Sequence, residues 1–271
     1  MNLILPNIFK RFEAECLIRV GNPINKSGKF YKEDLNGDGG YVVEKKSVIN
    51  SKYLISLGRG EDISFEIDFR RINDKIRINT YDGSTSAFLQ IKFFAKTFFK
   101  FIILRISFKN FINKIKQFFF FIKKENKFYK YFIFPEKFYP PQYKQFQSLD
   151  NILKKFKNSV FLKIDIEGSE YRILDEIIKN QNLLEGMVIE FHDVDLHLKK
   201  ILDFHKKLNL KIIYISPNNV THVNKGKFPT VLEFSYSKYY LKKMFYKKNF
   251  PIKYLQFSNN IKYKKYFIKF I

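Results

Sequence analysis

Eleven residues near the middle of the chain constrain its fold more than any others: Phe161-Leu162-Lys163-Ile164-Asp165-Ile166-Glu167-Gly168-Ser169-Glu170-Tyr171. They open as a short apolar run, meet Asp165, Glu167 and Gly168, and continue with Tyr171, Ile173, Leu174, Ile177 and Ile178 at helical spacing. That order reads as buried strand, acidic turn and helix. Ligands of open α/β sheets sit beyond the carboxyl ends of the strands, so Asp165 and Glu167 are expected to project into such a crevice. A second strand, Met187-Val188-Ile189-Glu190-Phe191, runs into His192 and Asp193 at the same expected edge. Two adjacent strands thus deliver Asp165, Glu167, Glu190 and His192 to one place.

Upstream, Tyr53-Leu54-Ile55-Ser56-Leu57 reads as a strand entering Gly58-Arg59-Gly60-Glu61-Asp62. Glycines at such a turn let the backbone approach a ligand and bend into a helix. The full Gly-x-Gly-x-x-Gly fingerprint is absent, because position 63 is Ile. The next strand, Lys75 to Tyr81, ends at Asp82, at the spacing of about twenty residues where a carboxylate meets the ribose hydroxyls of a nucleotide cofactor. An acid there accepts hydrogen bonds from the ribose and repels a 2′-phosphate. S-adenosylmethionine has no pyrophosphate and does not need the third glycine, so the pattern leans toward the methyl donor and away from NAD.

Lys163 to Glu170, followed by the Ile189-Glu190-Phe191-His192 strand end, resembles the FkbM-type family of S-adenosylmethionine-dependent methyltransferases. The resemblance extends over most of residues 17 to 87 and 146 to 236. It implies an α/β, Rossmann-like methyltransferase fold: a mostly parallel seven-stranded sheet with helices on both faces, interrupted here by a basic, Phe-rich insertion. The expected cofactor contacts are Gly58, Arg59, Gly60, Asp82 and Asp165. Two departures stand out. Ser56 occupies a position where methyltransferases often carry an acid, and Tyr214 and Ser216 stand where related proteins tend to place histidines before the Asn218-Asn219 pair.

The 271 residues are 45% hydrophobic, enough for one domain with an insertion. A lone cysteine, Cys16, excludes a disulfide scaffold and, with no base partner in view, is a poor nucleophile. The first residues lack a signal-peptide pattern and no window has the ~18 apolar residues of a membrane span, so a cytoplasmic location is expected. Asp34 to Gly39 imitates the start of an EF-hand calcium loop, but Glu44 falls one position short of the closing carboxylate. The family's Asp-Gly-Gly-Tyr turn, here Asp38 to Tyr41, accounts for these residues better.

Net charge is +24, from 50 basic against 26 acidic residues, which raises the question of an anionic partner. Lys, Asn, Ile and Phe are abundant together throughout, so part of that charge reflects composition. Residues 88–137 concentrate it: 12 Lys or Arg, two acids and 15 Phe. Lys92, Lys96 and Lys100 recur every four residues beside Phe94, Phe98, Phe101 and Ile102, the pattern of an amphipathic basic helix. It reads either as a solvated lysine face over a core helix or as a surface for peripheral contact with an anionic inner-membrane face. Nucleic acid is disfavoured, since arginine is scarce and no RNA-binding motif accompanies the run. Residues 1–50 are read as an N-terminal helix and β-hairpin extension, 51–237 as the methyltransferase domain with its insertion at 88–137, and 238–271 as a basic aromatic tail holding 10 lysines and no acids.

The expected activity is O-methyl transfer to a hydroxyl, by resemblance that of a sugar in a surface glycan or its precursor. His192 is the candidate base, since its ordinary pKa lies nearest working pH. Asp165 is placed against cofactor or acceptor, with Glu167 and Glu190 orienting neighbours. Asp165, Glu167 and His192 could alternatively hold a divalent cation that acidifies the hydroxyl. Two competing readings share the sequence: a non-enzymatic module binding nucleic acid or anionic lipid, which needs only the lysines, and an RNA methyltransferase.

Overall fold

The computed structural model describes residues 2–5, 9, 11–21, 40–58, 63–84, 87–103, 108–122, 126–136, 144–218, 228–242 and 267–270. In chain order its elements begin with β1 (Asn2–Leu5), β2 (Leu17–Val20), β3 (Tyr41–Glu44) and α1 (Lys45–Ile49). Next come β4 (Tyr53–Leu57), α2 (Ser64–Ile72), β5 (Arg77–Tyr81), α3 (Ala87–Ile102), α4 (Phe108–Ile122) and β6 (Asn126–Tyr129). The short strands β7 (Phe132–Ile133) and β8 (Phe146–Gln147) precede α5 (Leu149–Leu153), β9 (Val160–Ile164) and α6 (Glu170–Asn180). β10 (Leu184–Phe191), α7 (Val194–Lys207), β11 (Lys211–Pro217), β12 (Leu232–Ser237) and β13 (Phe267–Phe270) complete the set.

Seven strands form the central sheet in the order β11-β12-β10-β9-β4-β5-β6. Pairings from β10 through β9, β4 and β5 to β6 are parallel, and β12 alone runs antiparallel to both its neighbours. β9 is buried along its whole length, as a central strand covered on both faces must be. On one face α5, α6 and α7 bury Ile152, Ile173, Ile177 and Ile201 against Ile55, Leu57, Leu162 and Ile164. On the other, α1, α2 and the β2–β3 hairpin pack Val48, Phe65, Phe69 and Tyr41 onto Leu54, Phe161 and Val188. The chain builds outward from β4 through β5 to β6, then crosses back to place β9 on the other flank of β4. The strand order therefore reverses between β4 and β9, where a parallel sheet opens its ligand crevice.

Three elements differ from the sequence reading. The basic segment 88–137 is not insertion throughout, because it supplies β6, the edge strand of the main sheet; among its described residues α3, α4 and β7, which pairs with β8, stand outside that sheet. In the first 50 residues the expected hairpin is present as β2 with β3, while the described helix, α1, follows it instead of preceding it. The tail contributes β13, which pairs in parallel with β1 and buries Ile268. The EF-hand-like residues lie outside the described residues. No described helix is long and apolar enough to cross a membrane.

Candidate active site

A cleft of ≈ 620 Å³ opens at the carboxyl ends of β4 and β9. Gly58, Lys163, Asp165 and Glu167 line it from these two strand ends, and Tyr81, Asp82, Gly83 and Ser84 from β5. Glu190, Asn218 and Tyr41 close a further side, while Tyr131, Phe132 and Phe134 add aromatic surface. The volume is that of a small-molecule site.

Gly58 is where the two halves of the sheet touch. Its φ of +72° suits glycine alone, and a Cβ there would stand 1.4 Å from the carbonyl oxygen of Asp165. Its N–H donates to the Tyr81 carbonyl at 3.0 Å, and the Asp165 N–H donates to the Leu57 carbonyl at 2.9 Å. Lys163 is buried and its Nζ donates to the Gly58 carbonyl at 3.1 Å, with the rings of Tyr41 and Phe65 about it.

The acidic turn is left-handed at two successive residues, Glu167 (φ +51°) and Gly168 (φ +92°). What holds it is Glu170, fully buried at the first position of α6. Its Oε1 accepts from the N–H groups of Ile166 at 3.3 Å and Gly168 at 3.1 Å, and meets His192 Nδ1 at 2.9 Å. The next residue, Tyr171, donates its hydroxyl to the His192 carbonyl. Adjacent side chains of α6 therefore clamp both the ring and the backbone of His192.

With Nδ1 on Glu170, His192 Nε2 faces Glu167 at 3.3 Å and Glu190 at 3.5 Å. Burial alone would lower the His192 pKa, but Glu170, Asp165 and Glu167 outweigh it and raise the value. The Asp165 carboxyl is pushed up by burial and by Glu167 and Glu170, against the pull of Lys163 and His192. Glu190 is fixed by Asn218 Nδ2 at 3.2 Å and by the Tyr41 hydroxyl at 3.4 Å.

Five of the residues singled out from sequence thus line one cleft: Gly58, Asp82, Asp165, Glu167 and Glu190. His192 stands behind the lining, joined to it through the carboxylates. Arg59 and Gly60 lie outside the described residues. Asp82 Oδ1 accepts from the Ser84 N–H at 2.8 Å and hydroxyl at 2.6 Å, which fixes the carboxylate at the end of β5. Ser56, standing where an acid was expected, is buried beneath the cleft and donates to the buried Glu66 Oε1 of α2 at 2.5 Å. Lys163, Glu170, Tyr41 and Asn218 were passed over. Glu170 carried a visible signal as an acid opening a helix directly after a glycine turn.

Residues 21–211 match the family model described as the methyltransferase FkbM domain. The chain belongs to the FkbM methyltransferase family. It is accordingly an S-adenosylmethionine-dependent methyltransferase. No curated protein matches the sequence significantly. Among solved structures, the chain is similar to a precorrin-6y C5,15-methyltransferase from Geobacter metallireducens, with 14% identity, a TM-score of 0.38, and coverage of 72% of this chain and 85% of that one. The fibrillarin pre-rRNA processing protein of Methanococcus jannaschii shows 6% identity, a TM-score of 0.34 and coverage of 72% and 70%. For M. jannaschii TYW2 in complex with AdoMet the values are 10%, 0.34, 71% and 73%. These likenesses are distant, and the assignment rests on the family match and the strand order.

The residues present fit the FkbM family's methyl donor. Asp82 offers an acceptor-only carboxylate to ribose hydroxyls. Gly83 lets the Phe132 ring lie against the cleft, since a Cβ there would come within 2.4 Å of it. That ring, with Tyr81 and Phe134, gives apolar surface suited to a purine. Asp165 makes no side-chain hydrogen bond among the described residues and is open to a cationic or hydroxyl partner. Asp165, Glu190 and His192 also place one donor atom each within 4.8 Å of one another, a spacing that suits a metal ion. Glu190 stands in that trio where Glu167, whose side chain is 85% exposed, was expected from sequence.

Proposed function

We propose that this methyltransferase acts on oxygen, and that its acceptor is a hydroxyl of a sugar in a surface glycan or its precursor. The observation that carries the reading is the Glu170–His192 pair. A buried carboxylate on Nδ1 orients the ring and turns Nε2 toward the cleft carboxylates, which favour its protonated form, so that once Nε2 has lost its proton the ring is a strengthened general base. S-adenosylmethionine supplies a methyl group on a sulfonium sulfur. His192 Nε2 takes the hydroxyl proton while the oxygen's electron pair forms the new C–O bond, and the electrons of the broken C–S bond remain on sulfur. Asp165 and Glu190 accept hydrogen bonds from neighbouring hydroxyls of a polyol, which aligns one of them. The raised pKa of His192 makes it the stronger base and implies that turnover falls on the acid side as the ring becomes protonated.

A second reading has its own observation. Asp165, Glu190 and His192 each direct one donor atom to within 4.8 Å of the others, an oxygen-rich set with one imidazole that suits a divalent cation. A divalent ion held by Asp165, Glu190 and His192 would lower the hydroxyl pKa in place of the base.

Calorimetric titration with S-adenosylmethionine and its demethylated product, on wild type and Asp82→Ala, tests the donor site; micromolar binding lost in the variant is expected. Labelled donor is then offered to sugar acceptors and to RNA. His192→Gln should keep donor affinity and lose about 10²–10⁴-fold in turnover. Label on nitrogen, on carbon or on RNA sinks the sugar reading, and activity indifferent to chelator sinks the cation.

A further inference from the structure

Between β5 and β6 the chain leaves the sheet to form the α3–α4 hairpin. It springs from the cleft rim, for Ser84 lines the cleft and α3 begins at Ala87. The inner seam of the hairpin is aromatic. Phe94 stacks on Phe118 with centroids 4.5 Å apart, and Phe101 on Phe111 at 4.2 Å with the rings 2° from parallel. α4 is the layer next to the body: Phe120 is buried, the Arg70 guanidinium lies 5.9 Å from its ring centre, and its carbonyl accepts from Asn126 Nδ2 at 2.7 Å. α3 packs chiefly against α4 and forms the outer layer.

The outward side of α3, opposite that seam, carries Lys92, Lys96 and Lys100, but the exposed surface beside them is not polar. Phe98, Phe99 and Ile102 are about half exposed or more, and Ile103 and Phe108 continue the apolar surface to the hairpin's end. At about 100° per residue these three fall on one side of a row made by Lys92, Lys96 and Lys100, all exposed. The exposed surface of α3 is therefore a lysine row flanked lengthwise by an apolar stripe, whose Phe98 also packs on Phe111. Large exposed apolar side chains clustered in this way mark an interaction surface. A single-sign lysine border on a chain of net charge +24 repels a second copy and suits an anionic partner. An interfacial helix has this construction: aromatic residues enter the acyl boundary while lysine stems lie along it with their ammonium groups among anionic headgroups.

We infer that the α3–α4 hairpin docks the enzyme on an anionic lipid surface, with Phe98, Phe99 and Ile102 inserted and Lys92, Lys96 and Lys100 on the headgroups. This holds whatever the acceptor proves to be, so its test is separate from the methyl-transfer assay. The full chain is sedimented with vesicles of phosphatidylcholine alone and with about 30% phosphatidylglycerol, at low and high salt. Binding to the anionic vesicles, weakened by salt, is expected. Phe98→Ser/Phe99→Ser/Ile102→Ser should lower it at least tenfold, and Lys92→Gln/Lys96→Gln/Lys100→Gln about a hundredfold, at about fivefold per lysine. Calorimetric donor binding, kept in both variants, shows that they fold. Binding unchanged in the triple variants would assign it to other lysines and overturn the inference. So would equal affinity for neutral vesicles, a dimer dispersed by the Phe98→Ser set, or preference for RNA over vesicles in competition.

Discussion

Gly58 concentrates the demands of the site into one residue. It needs a positive φ, it has no room for a Cβ, and its carbonyl receives the buried Lys163 ammonium. Gly58→Ala forces the ends of β4 and β9 apart, and the expected result is a loss of more than about 2 kcal/mol with donor binding abolished. Chemical denaturation with calorimetry checks both; a variant that binds the donor normally would contradict the account. The need for glycine here was legible in sequence, but the reason read for it was approach to a ligand. The contact that forbids a side chain is with Asp165, 107 positions away, and only the fold brings the two together. Lys163 and Glu170 were hidden for the same reason. Each sits inside the stretch that organised the sequence reading, yet their partners Gly58 and His192 belong to other strands.

Elements show a different limit. α5 is five residues long and too short to persist by propensity, so its ends must be fixed by side chains. Ser148 and Asp150 divide that labour. Ser148 Oγ accepts from the Asn151 N–H at 3.1 Å, while Asp150 ties α5 to α6 through Lys179 at 2.8 Å and Asn180 at 2.9 Å. Ser148→Ala should cost about 1 kcal/mol and lower Tm by roughly 2–4 °C, read by calorimetric melting; no change would mean that packing alone holds the helix. Strands with apolar runs, β4, β9 and β10, were found from sequence because burial on both faces leaves a continuous signature. β6 was missed. As an edge strand reading Asn-Lys-Phe-Tyr within a lysine and phenylalanine-rich segment, it lacks the run and any alternation distinct from the helices before it.

At the scale of the molecule, buried ionisable groups couple folding to pH. His205 of α7 packs among Phe9, Phe204 and Phe234, bonds Tyr236 through Nε2, and leaves Nδ1 buried without a partner among the described residues. Burial pushes its pKa down to about 3, against about 6.5 in the unfolded chain. Above pH ~6.5 the ring is neutral in both states and the native fold keeps its full stability. Below that the unfolded chain takes up a proton that the native one refuses, so stability falls as pH drops from ~6.5 toward 3, by about 2 kcal/mol at pH 5. His192 acts in the opposite sense, because its pKa is raised: its contribution is present below ~6.5 and is lost as pH rises through the folded value. The carboxyls of Glu44, Asp165 and Glu176, which burial pushes up, oppose His205 in part of its window. The comparison must therefore be with a variant. Urea denaturation at pH 7 and pH 5 should show a stability difference in wild type that exceeds that of His205→Gln by about 2 kcal/mol. Equal differences would place a protonated ring in the native core, and the aromatic packing of α7 against β12 would then have to open to admit it.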